Sequence, residues 1–137
     1  MYRTSRRREG APLSTITAEI ASAWNLGFTM IPVSDDPIAT RIATDDLGEL
    51  SFQEYFVREH HDVAATAVRF VGVDDARPAP GVIEAIEQAD VVIVAPSNPI
   101  VSIGPVLAVP GVRRALAAFD VMSVSYTHLT LPTIYSL

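Results

Sequence analysis

The sequence predicts an α/β protein, a mainly parallel sheet with helical crossovers and one inserted antiparallel hairpin. Short apolar runs rich in β-branched residues (28–33, 64–73 and 91–94) alternate with segments whose apolar residues recur every three to four positions, the strand and helix periods respectively. Strand, helix, strand, helix in this order implies parallel strands joined by right-handed crossovers. Among 137 residues 49% are hydrophobic, enough for the core of one domain or for part of a larger one.

The first helix is expected over 15–26 (TITAEIASAWNL), with Ser14 as its N-cap and Gly27 as the glycine that ends it. Ile16, Ile20, Ala23 and Trp24 fall at helical spacing and define one buried stripe. FTMIPV (28–33) reads as a strand, closed by the turn composition Ser34-Asp35-Asp36-Pro37. Two short strands between Ala39 and Phe52 flank Asp46-Leu47-Gly48-Glu49 and form a hairpin. Phe52, Tyr55 and Phe56 lie at i, i+3 and i+4, which makes 52–59 a short amphipathic helix covering the sheet. Core packing alone accounts for the three rings.

The segment 64–73 alternates well enough to be a strand, and Pro78 and Pro80 then break the chain. GVIEAIEQA (81–89) forms the next helix and leads into Val91–Val94, too short for a helix and read as a strand buried on both faces. The last helix is GVRRALAAF, starting at Gly111. No internal repeat or low-complexity linker is evident.

The net charge of −6 argues against a general nucleic-acid surface. Arg3, Arg6, Arg7 and Arg8 form one local basic cluster, read as a solvated helix end. With no cysteine, neither disulfides nor thiolate metal sites are available, which fits a cytoplasmic protein. No apolar run is long enough to span a membrane, and the Arg-rich start is not followed by a signal-peptide core.

From Val124 the chain reads VSYTHLTLPTIYSL, and VSYTHLTLPT resembles the in-frame translation of a transposon adapter used in sequencing libraries. Residues 124–137 are therefore set aside as non-native, and Tyr126 and His128 with them. Residues 1–123 carry the fold.

Two loops attract chemical interest. Of the acidic pairs Asp35-Asp36, Asp45-Asp46 and Asp74-Asp75, only the first directly follows an apolar strand, where the ligand crevice of an open α/β sheet lies. Its carboxylates suit Mg²⁺, which keeps waters and bridges to substrate phosphates. The second loop, Pro96-Ser97-Asn98-Pro99, follows the strand at 91–94 and runs through Ser102, Gly104 and Pro105 into a helix start. A polar, proline-braced loop beside helix N–H groups suits an anion such as phosphate; the alternative is a rigid connection that merely reverses the chain. His60-His61-Asp62 is a solvated helix end, because adjacent histidines on a helix point in different directions. The sequence has no Gly-x-Ser-x-Gly, His-Glu-x-x-His or Gly-x-Gly-x-x-Gly motif.

GAPLS, IPVSDDPIATRIATDDLGELSFQEYFVRE and ADVVIVAPSNPIVSIGPVLAVPGVRRAL together resemble the CofD/FbiA family over residues 2 to 122. These are the 2-phospho-L-lactate or phosphoenolpyruvate transferases of coenzyme F-420 biosynthesis. The resemblance implies a Rossmann-like three-layer core, of which 1–123 would be a central, incomplete fragment. It implies transfer of a phospholactyl or phosphoenolpyruvyl group from a guanosine-diphosphate-activated donor to the hydroxyl of the deazaflavin FO, with release of GMP. Mg²⁺ is the implied cofactor and a homodimer the implied assembly. Asp35 and Asp36 would serve catalysis and the metal, with Thr40 close by; Ser97, Asn98, Ser102 and Gly104 would hold the nucleotide or its phosphates. The chain departs from the family at Ala95, where Gly is common, and lacks the family's Gly-rich N-terminal segment and C-terminal part, so the fragment alone is expected to be inactive. A second resemblance, to YvcK-like regulators that bind a nucleotide sugar, extends to the Asp-Asp-Pro turn. That group tends to carry Pro-Gly-Ser in place of Pro-Ser-Asn-Pro, and FQEYFVRE fits the transferases better.

Overall fold

A computed structural model describes residues 1–60, 62–118 and, for the backbone, 122–123. His61 and the segment 124–137 lie outside the described residues.

Tyr2–Arg8 forms helix α1, so the basic cluster does sit on a helix. Arg6 folds back from it, its guanidinium meeting both carboxylate oxygens of Glu19 at 3.0 and 2.7 Å, while the Tyr2 hydroxyl donates to Glu19 at 2.7 Å. These charge-assisted bonds tie α1 to helix α2, Leu13–Ala23. Ser14 lies inside the first turn of α2 instead of capping it. Ile16 is fully buried, but Trp24 is 72% exposed, so the apolar stripe faces the core only through the first half of the helix. Asn25, at φ 50°, takes the left-handed position expected of Gly27.

FTMIPV is not a strand. Among the described residues it joins no ladder, and the first pairing is an isolated bridge between Ser34 and Pro78. Apolar, β-branched composition suits a strand, but a strand also needs a neighbour to bond its peptide groups.

Strands β1 (Ala39–Thr44) and β2 (Gly48–Ser51) form the expected hairpin, with Ile42 opposite Leu50 and Thr44 opposite Gly48. Strand β3 (Ala65–Val71) pairs antiparallel with the other side of β1, giving the order β2-β1-β3. Parallel pairing is confined to two residues of β4 (Ile93–Val94) against β5 (Met122–Ser123). The mixed α/β class and the hairpin are as expected, while among the described residues the larger sheet is antiparallel and a mainly parallel core is not confirmed. The alternation along 64–73 carried this information, since one-sided alternation marks an antiparallel sheet with one face on the core. Nor is the strand at 91–94 buried on both faces, because Ile93 is 82% exposed.

The segment after β2 winds as a π-helix over Glu54–Arg58. A reciprocal pair starts it: the Ser51 N–H donates to Glu54 Oε2 at 2.8 Å, and the Glu54 N–H donates to Ser51 Oγ at 3.2 Å. This is a capping box. It sets Phe52 against Phe56 with ring centroids 4.5 Å apart.

Two short helices, α3 (Val82–Glu87) and α5 (Val112–Leu116), enclose the core cluster of Ala79, Val82, Val109 and Val112. Each follows the same turn. Ala79-Pro80-Gly81-Val82 and Val109-Pro110-Gly111-Val112 both close with a 3.2 Å bond from the valine N–H to the carbonyl of the first residue, and Gly81 and Gly111 stand at φ 87° and 90°. Proline followed by a left-handed glycine is the type II turn. It buries the first and last residue of each turn together, a small internal repeat carried by Pro-Gly at both positions.

Val33 and Ile38 pack against this cluster and bracket the Ser34–Pro37 loop. Gly72 completes the support. At φ +85° it lies so close to the loop that a Cβ would stand 2.5 Å from the Pro37 carbonyl oxygen.

Gly10 shares the φ of +85° but has nothing within 4 Å, so the two glycines separate backbone strain from steric clash. Gly72→Ala is expected to lower unfolding stability by at least about 1 kcal/mol more than Gly10→Ala in urea titrations; equal losses would contradict the close approach. A second expectation concerns acid. Hydrogen bonding from Arg6 holds the Glu19 carboxyl below the ordinary glutamate range, so the α1–α2 tie is present at neutral pH and lost as pH falls through that lowered value. Glu19→Gln should flatten the acid limb of a melting-temperature-against-pH curve; an unchanged limb would place the dependence elsewhere.

Candidate functional site

The Ser34–Pro37 loop is fixed almost entirely by its own side chains. Asp35 reaches across to α2, accepting the Ser14 N–H at Oδ1 (2.6 Å) and the Ser14 hydroxyl at Oδ2 (2.7 Å). It therefore caps the helix for which Ser14 was the expected cap, and places a carboxylate at the positive end of the helix dipole. Asp36 turns the other way, its Oδ2 accepting the Arg77 N–H at 2.8 Å. Ser34, which is buried, donates from Oγ to the Arg77 carbonyl at 2.7 Å and accepts the Asp36 N–H at 3.0 Å. The Ala79 N–H closes the stitch on the Val33 carbonyl at 3.0 Å.

In the second loop, Asn98 is a helix cap. Its Oδ1 accepts the N–H groups of Ile100 (2.9 Å) and Val101 (3.1 Å) at the start of the π-helical turn Pro99–Ile103, with Pro99 in the first position. The helix N–H groups that suggested an anion site are thus already engaged. What remains to meet a ligand is the Asn98 amide nitrogen with the hydroxyls of half-buried Ser97 and exposed Ser102. Gly104 opens helix α4 (Gly104–Ala108), and a Cβ there would stand 3.0 Å from the Phe70 ring. Close packing on β3 accounts for that glycine.

The sheet joins the two loops. Thr40 stands opposite Phe70 in the β1–β3 register, so both side chains share one face, and Phe70 supports Gly104. Beside them a cleft of about 380 Å³ is lined by Ala39, Thr40, Ser51, Phe52, Gln53 and Val101. It brings Thr40 and the Pro99–Ile103 turn together, whereas Asp35 and Asp36 do not line it and are four to five residues from Thr40 along the chain. Of this lining the sequence singles out only Thr40 as a site residue, and Ser51, Phe52 and Gln53 are among the residues it left out. The Ser-x-x-Glu signature at 51–54 would have marked them as a fixed corner.

The donor set fits an open metal site and no closed one. Both oxygens of Asp35 already carry a hydrogen bond, while Asp36 uses one oxygen and is exposed. Among the described residues no three His, Cys, Asp or Glu side chains converge as a metal cage. A carboxylate oxygen facing solvent suits Mg²⁺, which takes one or two protein carboxylates and completes its shell with water and phosphate. His60, at φ 50°, belongs to no such cluster.

Relatives of known type share this arrangement of sequence. The family model of CofD, 2-phospho-L-lactate transferase, matches residues 1–130. Phosphoenolpyruvate transferases from Streptomyces griseus subsp. griseus and Mycobacterium sp. (strain KMS) are 47% and 42% identical over 120 and 132 residues, which make up 85% and 93% of this chain. The matched segments are 38% and 40% of those proteins, so the chain spans about two-fifths of their length. A crystal structure of a UPF0052-family protein from Bacillus halodurans superposes with a TM-score of 0.68 at 21% identity, over 88% of this chain and 38% of that one. That likeness is one of fold. No helix among the described residues is long and apolar enough to cross a membrane. With the family model matched over nearly its whole length, the chain belongs to the CofD family.

Proposed function

We propose that this chain is part of a transferase of coenzyme F-420 biosynthesis. The enzyme moves a 2-phospho-L-lactyl or phosphoenolpyruvyl group from a guanosine-diphosphate-activated donor to the terminal hydroxyl of the deazaflavin FO. The observation that carries the reading is the family match at 42–47% identity to phosphoenolpyruvate transferases. The meeting of Thr40 with the Pro99–Ile103 turn at one cleft supports it.

In the reaction the FO oxygen bonds to the phosphorus distal to guanosine. The bridging P–O bond breaks, GMP leaves, and the hydroxyl proton is released. Such chemistry asks the protein chiefly for positioning and charge neutralisation. Asp36, with one oxygen facing solvent, is the group suited to take the proton or hold the metal. Asp35 keeps the loop on α2 and adds negative charge beside it. Ser97, Asn98 through its amide nitrogen, and Ser102 would contact the nucleotide phosphates, while Gly104 sets the turn that carries Ser102. Mg²⁺, held on the Asp35-Asp36 side, would supply charge neutralisation on the diphosphate.

A chimera tests this, with residues 1–123 replacing the matched segment of the Streptomyces griseus relative. Incubated with FO, Mg²⁺ and each activated donor, it should form F-420-0 or dehydro-F-420-0 by mass spectrometry. Failure to form either, with tight nucleotide-sugar binding in its place, would support the regulatory alternative. Asp36→Asn keeps an oxygen for the Arg77 N–H while removing the charge. It should lower turnover by at least about a hundredfold with little change in melting temperature, and retained turnover would remove Asp36 from the machinery.

A further inference from the structure

We infer that the Ser34 hydroxyl is a positioning group that fixes the direction of the Asp36 carboxylate. The inference rests on the reading above, which places Asp36 in the transfer machinery, and names the residue that aims it. Three bonds close a ring around this hydroxyl. Ser34 Oγ donates to the Arg77 carbonyl at 2.7 Å, the Asp36 N–H donates to Ser34 Oγ at 3.0 Å, and the Arg77 N–H donates to Asp36 Oδ2 at 2.8 Å. One hydroxyl thus serves as donor and acceptor at once. Asp36 is gripped at its backbone nitrogen and at one carboxylate oxygen. The torsions between those atoms, and with them the direction of the remaining oxygen, are set before any ligand arrives.

Burial and reach set this hydroxyl apart. Among the described residues Ser34 and Thr44 are the buried polar side chains. Thr44 makes the same pair of bonds, accepting the Leu47 N–H and donating to the Gly48 carbonyl, but both partners lie within four residues and the result is a hairpin turn. Ser34 instead spans 43 residues to Arg77. The two segments do not need it to stay together. The Ala79 N–H already bonds the Val33 carbonyl at 3.0 Å, Ser34 pairs with Pro78 as a backbone bridge, and Val33 and Ile38 pack on the core cluster. Asp35 does not need it either, since Ser14 holds both its oxygens. What the hydroxyl adds to these ties is the orientation of Asp36.

The test measures turnover in the chimera described above and amide exchange in the full chain. Ser34→Ala should lower kcat by about ten- to a hundredfold, the scale of a misplaced reacting group, with KM for FO and for the donor within about twofold of the parent chimera. Ser34→Cys has nearly the size of serine but only a weak donor and acceptor, and should fall with alanine. Ser34→Thr keeps the hydroxyl and should return kcat to within about threefold. Val82→Ala, a core truncation outside the ring, should lower the melting temperature and leave kcat at the parental value. In the full chain Ser34→Ala should speed exchange of the Asp36 and Arg77 amides at least about tenfold and leave the Ser14 amide as it was. Parental turnover in both Ser34→Ala and Ser34→Cys overturns the inference, as does unchanged exchange at Asp36 and Arg77. So does an equal loss of kcat in Val82→Ala, which would trace the effect to general stability. A parent chimera that forms no product overturns the transferase reading instead, and exchange at Asp36 and Arg77 then decides the positioning by itself.

Discussion

Two carboxylates bonded to backbone N–H groups hold this structure's functional corner in place. Asp35 takes the Ser14 N–H and hydroxyl, Asp36 takes the Arg77 N–H, and the four-residue loop between Val33 and Ile38 is thereby anchored to a helix on one side and to the approach to α3 on the other. Charged acceptors make stronger bonds than neutral ones, and an orphan N–H in a helix's first turn has no partner within the helix. Removing either carboxylate leaves a backbone donor unmet as well as a charge lost. The packing follows suit. Val33 and Ile38 can reach the Ala79–Val82–Val109–Val112 cluster because the loop between them is short and stitched, and Gly72 permits the Pro37 carbonyl to come in close.

A carboxylate engaged with N–H groups is held in one orientation, as the proposed metal-phosphate role would ask of its ligands. The pair is engaged unequally: Asp35 has both oxygens engaged, Asp36 only one. The sequence makes the two residues look equivalent, and the fold separates them. The Ser97–Gly104 stretch divides in the same manner, with Asn98 Oδ1 and Gly104 committed to structure while no such bond engages the Ser97 and Ser102 hydroxyls among the described residues.

Much of this was legible from local pattern. The hairpin at 39–51, the helices at 82–87 and 112–116 and the turn at 34–37 follow from short-range chemistry, which periodicity and turn residues encode directly. The misreadings have one cause, reliance on composition where partners decide. FTMIPV has the residues of a strand and, among the described residues, no strand to pair with; Val91–Val94 has the residues of a doubly covered strand, yet Val91 and Ile93 lie exposed. Trp24 continues the apolar period of α2 past the point where α2 touches the core. Conversely, the Ser51–Glu54 box and the paired Pro-Gly turns were written plainly in the sequence and mark rigid corners. Long-range identity of the ladder, antiparallel here, depends on which strand lies beside β1, and only the alternation in 64–73 hinted at it.

Amide hydrogen exchange on the full chain, read residue by residue by nuclear magnetic resonance, tests the carboxylate stitching most directly. Ser14 and Leu13 both lie in the first turn of α2, where no helical acceptor reaches them, so they differ chiefly in the bond to Asp35. The account predicts that the Ser14 and Arg77 amides exchange at least about tenfold more slowly than Leu13, and that Asp35→Ala and Asp36→Ala each abolish the protection of their own partner alone. Exchange of Ser14 and Arg77 at the rate of Leu13 would contradict it.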